Sequence, residues 1–218
     1  MDLVIFDLDG TLTQTDTLDD RVYRQAIKEA LDLTCPDNWE GFSHQTATGL
    51  LAELMVKEKE KDLTPKDHDK TRDHFLDLMM DALMDMDVDQ LATDGGQDLV
   101  TNLLDSDQHM VAISTGGWGP AACFKLSSAG YDIADMVMAT GDDDFDRMEI
   151  LMLARERAEE RLPEGQSFDQ IIYVGDNQWD KLAAEGLGWQ FIGVGDLVQD
   201  AQISLDSLAG AEKHIFKD

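Results

Sequence analysis

The sequence predicts an α/β fold: a doubly wound parallel sheet interrupted by a block of α-helices. Three observations carry that prediction. An apolar run, Asp2-Leu3-Val4-Ile5-Phe6, leads straight into Asp7-Leu8-Asp9-Gly10-Thr11. Across residues 15–93 every periodic segment is helical. From residue 94 onward strand-like and helix-like segments alternate, which is the pattern of a parallel sheet covered on both faces.

The run at 2–7 has the length and residue types of a buried parallel strand. In the helical block, 21–33 sets Val22, Ala26, Ile27, Ala30 and Leu31 at helical spacing. Segment 46–59 does so with Leu50, Leu51, Leu54 and Met55, and 69–87 with Phe75, Leu76, Met79, Met80, Leu83 and Met84. Pro65 suits a helix start, and the Met79, Met80, Met84 and Met86 set reads as packing. The alternating part gives a helix at 97–104, a strand at 109–114 and a helix at 121–128 closed by Gly130. A strand at 133–139 follows, then an amphipathic helix at 146–161 stopped by Pro163. A strand at 170–174, a helix at 179–185 and a strand at 189–194 complete the pattern, and residues from Asp200 are weakly patterned. The expected organisation is a Rossmann-like core of residues 1–14 and 94–218 with an α-helical cap at 15–93.

The 218 residues are 43% hydrophobic, enough for a sizeable core. Net charge is -29, from 46 acidic and 17 basic residues spread along the whole chain. Such a surface repels nucleic acid and anionic membranes, and it favours a monomer. It also suggests adaptation to salt, which would screen the self-repulsion. Cys35 and Cys123 stand far apart with no metal-ligand spacing, which fits a reducing compartment. No charged leader, long apolar span or cleavage site precedes the first strand, so a cytoplasmic protein is expected.

The chemistry collects at predicted strand ends. Asp7 and Asp9 close the first strand, and acids so close repel unless a cation or a shared proton compensates. Ser114-Thr115-Gly116-Gly117 closes the second. Asp142-Asp143-Asp144-Phe145-Asp146-Arg147 follows the third, and Gly175-Asp176-Asn177-Gln178-Trp179-Asp180 the fourth. In a parallel sheet these ends converge on one edge, where ligands bind.

These motifs, in this order, resemble those of the haloacid dehalogenase-like hydrolase superfamily. The DxDGT and GDxxxD elements carry the resemblance, which spans nearly the whole chain. The layout is similar to the phosphoglycolate phosphatase and β-phosphoglucomutase branch, with the cap in the type 1 position. The resemblance implies a phosphomonoester hydrolase acting on a small phosphorylated metabolite, with Asp7 as nucleophile and Asp9 as general acid and base. It implies Mg²⁺ held by Asp7, Asp9 through its carbonyl, and Asp176, with Asn177 and Asp180 in support. Gly10, Thr11, Thr115, Gly116 and Gly117 would then surround the phosphate, and Ser114 is the alternative hydroxyl if the motif slips by one. Many members carry a Lys in the third motif. Here no Lys lies between Lys125 and Lys181, and Arg147 stands in that place, with Arg155 as second candidate.

Other readings exist for these residues. Asp176 and Asp180 also suit a helix N-cap and a first-turn acid. The run 142–144 reads as a solvated acidic loop rather than a second metal site. His44 and Thr48 are candidate substrate contacts from the cap, set against an ordinary loop histidine and a helix cap. The competing functions are a sugar phosphomutase of the same superfamily and a non-catalytic phospho-acceptor or binding protein.

Overall fold

The computed structural model describes residues 1–216. Six strands are found among them: β1 (Asp2–Phe6), β2 (His109–Ser114), β3 (Val137–Ala139), β4 (Ile171–Gly175), β5 (Gln190–Val194) and β6 (Ile203–Leu205). They form one sheet in the order β3-β2-β1-β4-β5-β6, and every neighbouring pair is parallel. β1 lies inside the sheet and is buried along its whole length, in keeping with the unalternating apolar residues from Leu3 to Phe6.

Period-two geometry then sorts the strand residues. Val4, Phe6, Val111, Ile113, Ile172 and Val174 face one core; Leu3, Ile5, Ala112 and Tyr173 face the other. The first face is covered by α5 (Gly96–Leu104) and α6 (Gly119–Ser128), through Leu99, Leu103, Ala122 and Leu126. The second is covered by α7 (Arg147–Glu159) and α8 (Gln178–Leu187), through Ile150, Leu151, Ala154 and Ala184. From β1 the chain winds outward through β2 and β3, then crosses to β4 and winds the other way. The β1–β4 boundary is therefore a switch point, where connections diverge and leave a crevice at the carboxyl ends.

The block between β1 and α5 holds α1 (Asp16–Leu31), α2 (Ala47–Lys59), α3 (Pro65–Leu83) and the short α4 (Val88–Leu91). Its two linkers pair with each other: Gln14 N–H donates to Leu91 O (2.8 Å) and Thr93 N–H to Leu12 O (3.0 Å). The block also packs on the core. Trp118, at the head of α6, is 1% exposed and meets Tyr23 at 5.5 Å and Phe75 at 5.4 Å between ring centroids.

Several boundaries differ from those the sequence suggests. α3 begins at Pro65 because Thr64 caps it, accepting from Asp67 N–H at 3.1 Å, and it ends at Leu83. Met79 is buried on it, but Met80 and Met84 are 42% and 74% exposed, so that methionine set is not all packing. β3 is only Val137–Ala139; the apolar run before it includes a turn, with Met136 N–H donating to Ile133 O. β6 lies in the weakly patterned tail and pairs with β5. Among the described residues no helix is long and apolar enough to cross a membrane.

Candidate active site

Asp7 follows β1 directly, and its N–H donates to Val174 O on β4 at 2.9 Å. Asp176 starts the loop after β4, so the two carboxylates emerge side by side at the switch point. One carboxylate oxygen from each of Asp7, Asp176 and Asp180 lies within 4.8 Å of the others. Gly10 makes this proximity possible. Its φ of +87° is open to glycine, and a Cβ there would run into the Asp176 carboxylate.

The cluster is electrostatically loaded. Burial, followed by the charge of Asp180, holds the Asp7 carboxyl well above the usual range, against the pull of Arg147. Burial and Asp180 push Asp176 up to about 7. Burial also raises Asp180, opposed by Arg147 and the Tyr173 hydroxyl. Burial pulls the Arg147 guanidinium down; Asp7 and Asp180 more than offset it and hold it above its ordinary value.

Arg147 opens α7, just after Asp146, whose side chain caps that helix by accepting from Met148 N–H at 2.8 Å. Its Nη1 donates to Asp7 Oδ1 at 3.0 Å and to Asp180 Oδ1 at 3.3 Å, and its Nε donates to Gln45 O at 3.4 Å. The helical insert thus reaches the same cation. Asp180 is fully engaged: Tyr173 Oη donates to Oδ1 at 2.8 Å and Asn177 N–H to Oδ2 at 3.1 Å. Asp176 accepts a 3.4 Å hydrogen bond from Thr11. Asp7 and Asp176 line the cleft, whereas Asp180 does not, so theirs are the carboxylates that face a cation there. Hard, crowded oxygen donors of this kind fit Mg²⁺.

Asp7, Asp9, Thr115, Gly116, Gly117, Arg147 and Asp176 all line one cleft of about 460 Å³. Thr115 follows β2 and accepts from Gly117 N–H at 3.1 Å, while Arg147 lies against Gly116. Ser114 is the last residue of β2, is buried, and does not line the cleft, so Thr115 is the hydroxyl that does. Asn177 also lines the cleft and is the N-cap of α8. The cap expected at Asp176 is therefore one residue later. Trp179 and Tyr23 complete the walls.

Other candidates lie elsewhere. Arg155 pairs with Glu159 at 2.8 Å, outside the cleft. His44 packs edge-on against Phe145 at 5.6 Å. Thr48 donates to Gly141 O and accepts from Trp118 Nε1–H at 2.9 Å. Neither His44 nor Thr48 lines the cleft; Gln45 and Thr46, beside them, do. The 142–144 run is the exposed acidic loop expected, with Asp142 and Asp143 paired. Asp142 meets Arg72 of α3 at 3.3 Å and accepts from Gly119 N–H at 2.7 Å, and Asp143 meets Arg157 at 2.7 Å.

Sequence reading missed Lys125. It sits in α6, 1% exposed, with Nζ donating to Asp9 Oδ1 at 2.6 Å and Oδ2 at 2.8 Å, and to Asp19 of α1. Burial opposes its charge, and Asp19 and Asp9 more than restore it. Burial pushes Asp19 up to about 6, against the pull of Lys125. The available signal was a lysine between Phe124 and Leu126 on a helix with no other charged residue.

A family model described as haloacid dehalogenase-like hydrolase matches residues 1–188. The chain belongs to that family of hydrolases. No curated protein matches it. Among solved structures, β-phosphoglucomutase from Clostridium difficile superposes with a TM-score of 0.72 at 16% identity, covering 98% of this chain and 94% of that one. CbbY from Rhodobacter sphaeroides in complex with phosphate gives 0.66 at 21% identity, covering 96% and 95%. A predicted phosphoglycolate phosphatase from Haemophilus somnus gives 0.60 at 18%, covering 98% and 97%. At these identities the likeness is one of fold.

Proposed function

We propose that this hydrolase is a Mg²⁺-dependent phosphatase of small phosphorylated metabolites, with 15–93 as its cap and 1–14 plus 94–218 as its core. One observation carries the reading: Asp7 is buried against Arg147 and beside Asp176, in the same cleft as Asp9 and the 115–117 turn. CbbY, solved with phosphate and, as a variant, with xylulose-(1,5)-bisphosphate, supports a phosphorylated ligand for this fold.

Asp7 attacks phosphorus and forms the aspartyl phosphate as the ester P–O bond breaks. Asp9 gives its proton to the departing oxygen, then takes one from the water that attacks the aspartyl phosphate. That second displacement frees phosphate and regenerates the Asp7 carboxylate. Arg147 fixes the Asp7 oxygen and, from beside Gly116, balances phosphoryl charge. Thr115, with the N–H groups of Gly116 and Gly117, binds phosphoryl oxygens at the end of β2. Asp7, Asp176 and the Asp9 carbonyl would hold Mg²⁺, which supplies charge neutralisation between the carboxylates and the phosphoryl group. The cap, docked through Ala47 N–H to Gly116 O at 2.8 Å, closes the cleft over the reaction. We read the chain as a cytoplasmic monomer, in keeping with two free cysteines and its net charge of -29.

The purified protein is expected to hydrolyse p-nitrophenyl phosphate when Mg²⁺ is present and to lose that activity in Asp7→Asn. Activity that survives Asp7→Asn rejects the mechanism. Conversion of a sugar phosphate to its isomer without release of phosphate would make the protein a mutase instead.

A further inference from the structure

We propose that Lys125 is the positioning residue for Asp9, holding its carboxylate so that one oxygen faces the departing group. The inference rests on the phosphatase reading and adds a residue from a helix that carries none of the four motifs.

The Asp9 carboxylate is held from two elements. Thr15 Oγ1 donates to Oδ1 at 2.5 Å, and Lys125 Nζ bridges Oδ1 and Oδ2 at 2.6 and 2.8 Å. Oδ1 thus has two donors. Oδ2 has one, and it faces Gly117 across the cleft. Oδ2 is the oxygen left to carry the proton. Lys125 itself does not line the cleft and is 1% exposed, so it is not a phosphate ligand. Arg147, against Asp7, takes that part.

A buried lysine needs a reason to stay. Lys125 spans Asp9 in the core and Asp19 on α1 of the cap, and the ring of Phe75 lies 6.0 Å from Nζ. One ammonium is shared by two carboxylates, and the Thr15 hydroxyl, itself 2.6 Å from that of Thr13, gives Asp9 a further donor. Without the ammonium, Asp9 keeps the Thr15 hydrogen bond at Oδ1 but loses the bridge that fixes Oδ2, and a misplaced proton carrier is a poor one.

The test uses the full chain with Mg²⁺ and two esters. p-Nitrophenolate leaves without a proton, whereas the benzyl alkoxide of benzyl phosphate needs one. kcat/KM reports the steps up to release of that group. Asp19→Asn is the parent, because removing Lys125 from the wild type would leave two half-buried carboxylates without their shared cation. Adding Lys125→Met to it is expected to lower kcat/KM for benzyl phosphate about 100-fold and for p-nitrophenyl phosphate less than about fivefold. Equal falls for both esters, or none, overturn the positioning role and leave the phosphatase reading intact. Hydrolysis by wild type that persists in Asp7→Asn overturns the phosphatase reading and this inference with it.

Discussion

Arg147 and Lys125 are both cations buried against site carboxylates, and they got there differently. Arg147 stands at the first residue of α7, in a motif that the sequence displays at a strand end. Lys125 stands in the middle of α6 and meets Asp9 across 116 residues of chain. The first shares Asp7 with a crowd of acids and lines the cleft; the second closes off the back of Asp9 and does not. In the proposed mechanism, a cation at the start of a helix and lining the cleft is there for the ligand. A lysine inside a helix, sealed from water by two carboxylates, is there for the carboxylates.

The difference has measurable consequences. Arg147→Met is expected to lower kcat/KM about 10³-fold for every phosphate ester alike, because in the proposed mechanism its partner Asp7 is the nucleophile and does not act on the leaving group. Arg147→Lys should restore part of this, keeping the charge and losing the fork. A loss that grew with leaving-group basicity would erase the distinction from Lys125. Steady-state kinetics over a set of aryl and alkyl phosphates settles it.

A smaller effect lies in stability. Asp176, beside Arg147, and Asp19, beside Lys125, both ionise later in the folded protein than in the unfolded chain, at about 7 and about 6 against 3.8. The folded state therefore binds more protons within those windows, and stability falls as pH rises through them. Without divalent cations the melting temperature should drop between pH 4 and 7. Asp19→Asn is expected to flatten the lower part of that slope and Asp176→Asn the upper part. Mg²⁺ should flatten only the upper part. If Mg²⁺ left the upper part untouched, Asp176 would not be a ligand.

The smallest effect is that of salt. Buried pairs are shielded from ions, whereas 46 acidic side chains against 17 basic ones are mostly not. Raising NaCl should lift the melting temperature of wild type, Arg147→Met and the Lys125 variant by similar amounts. No rise in any of them would remove the case for salt adaptation.

The same contrast explains what could be read from the chain beforehand. The sheet was legible because β1 and β4 are unbroken apolar runs, buried on both faces. Asp7, Asp9, Thr115 and Asp176 were legible because strand ends in a parallel sheet must meet. β6 was not, since Ile203–Leu205 is three partly covered residues at the sheet edge with little pattern to show. His44 and Thr48 sat in the right segment of the insert, but the entry into α2 turns Gln45 and Thr46 toward the cleft instead. Lys125 and Tyr173 escaped because their partners are set by tertiary packing, which no local spacing reports.

The most direct test is to trap the intermediate on Asp7. The enzyme is quenched in acid during turnover with Mg²⁺ and p-nitrophenyl phosphate, reduced with borohydride and mapped by peptide mass spectrometry. Conversion of Asp7 to homoserine, absent when substrate is omitted, is the expected result. An active enzyme whose Asp7 stays unmodified, or whose label falls on another residue, would contradict it.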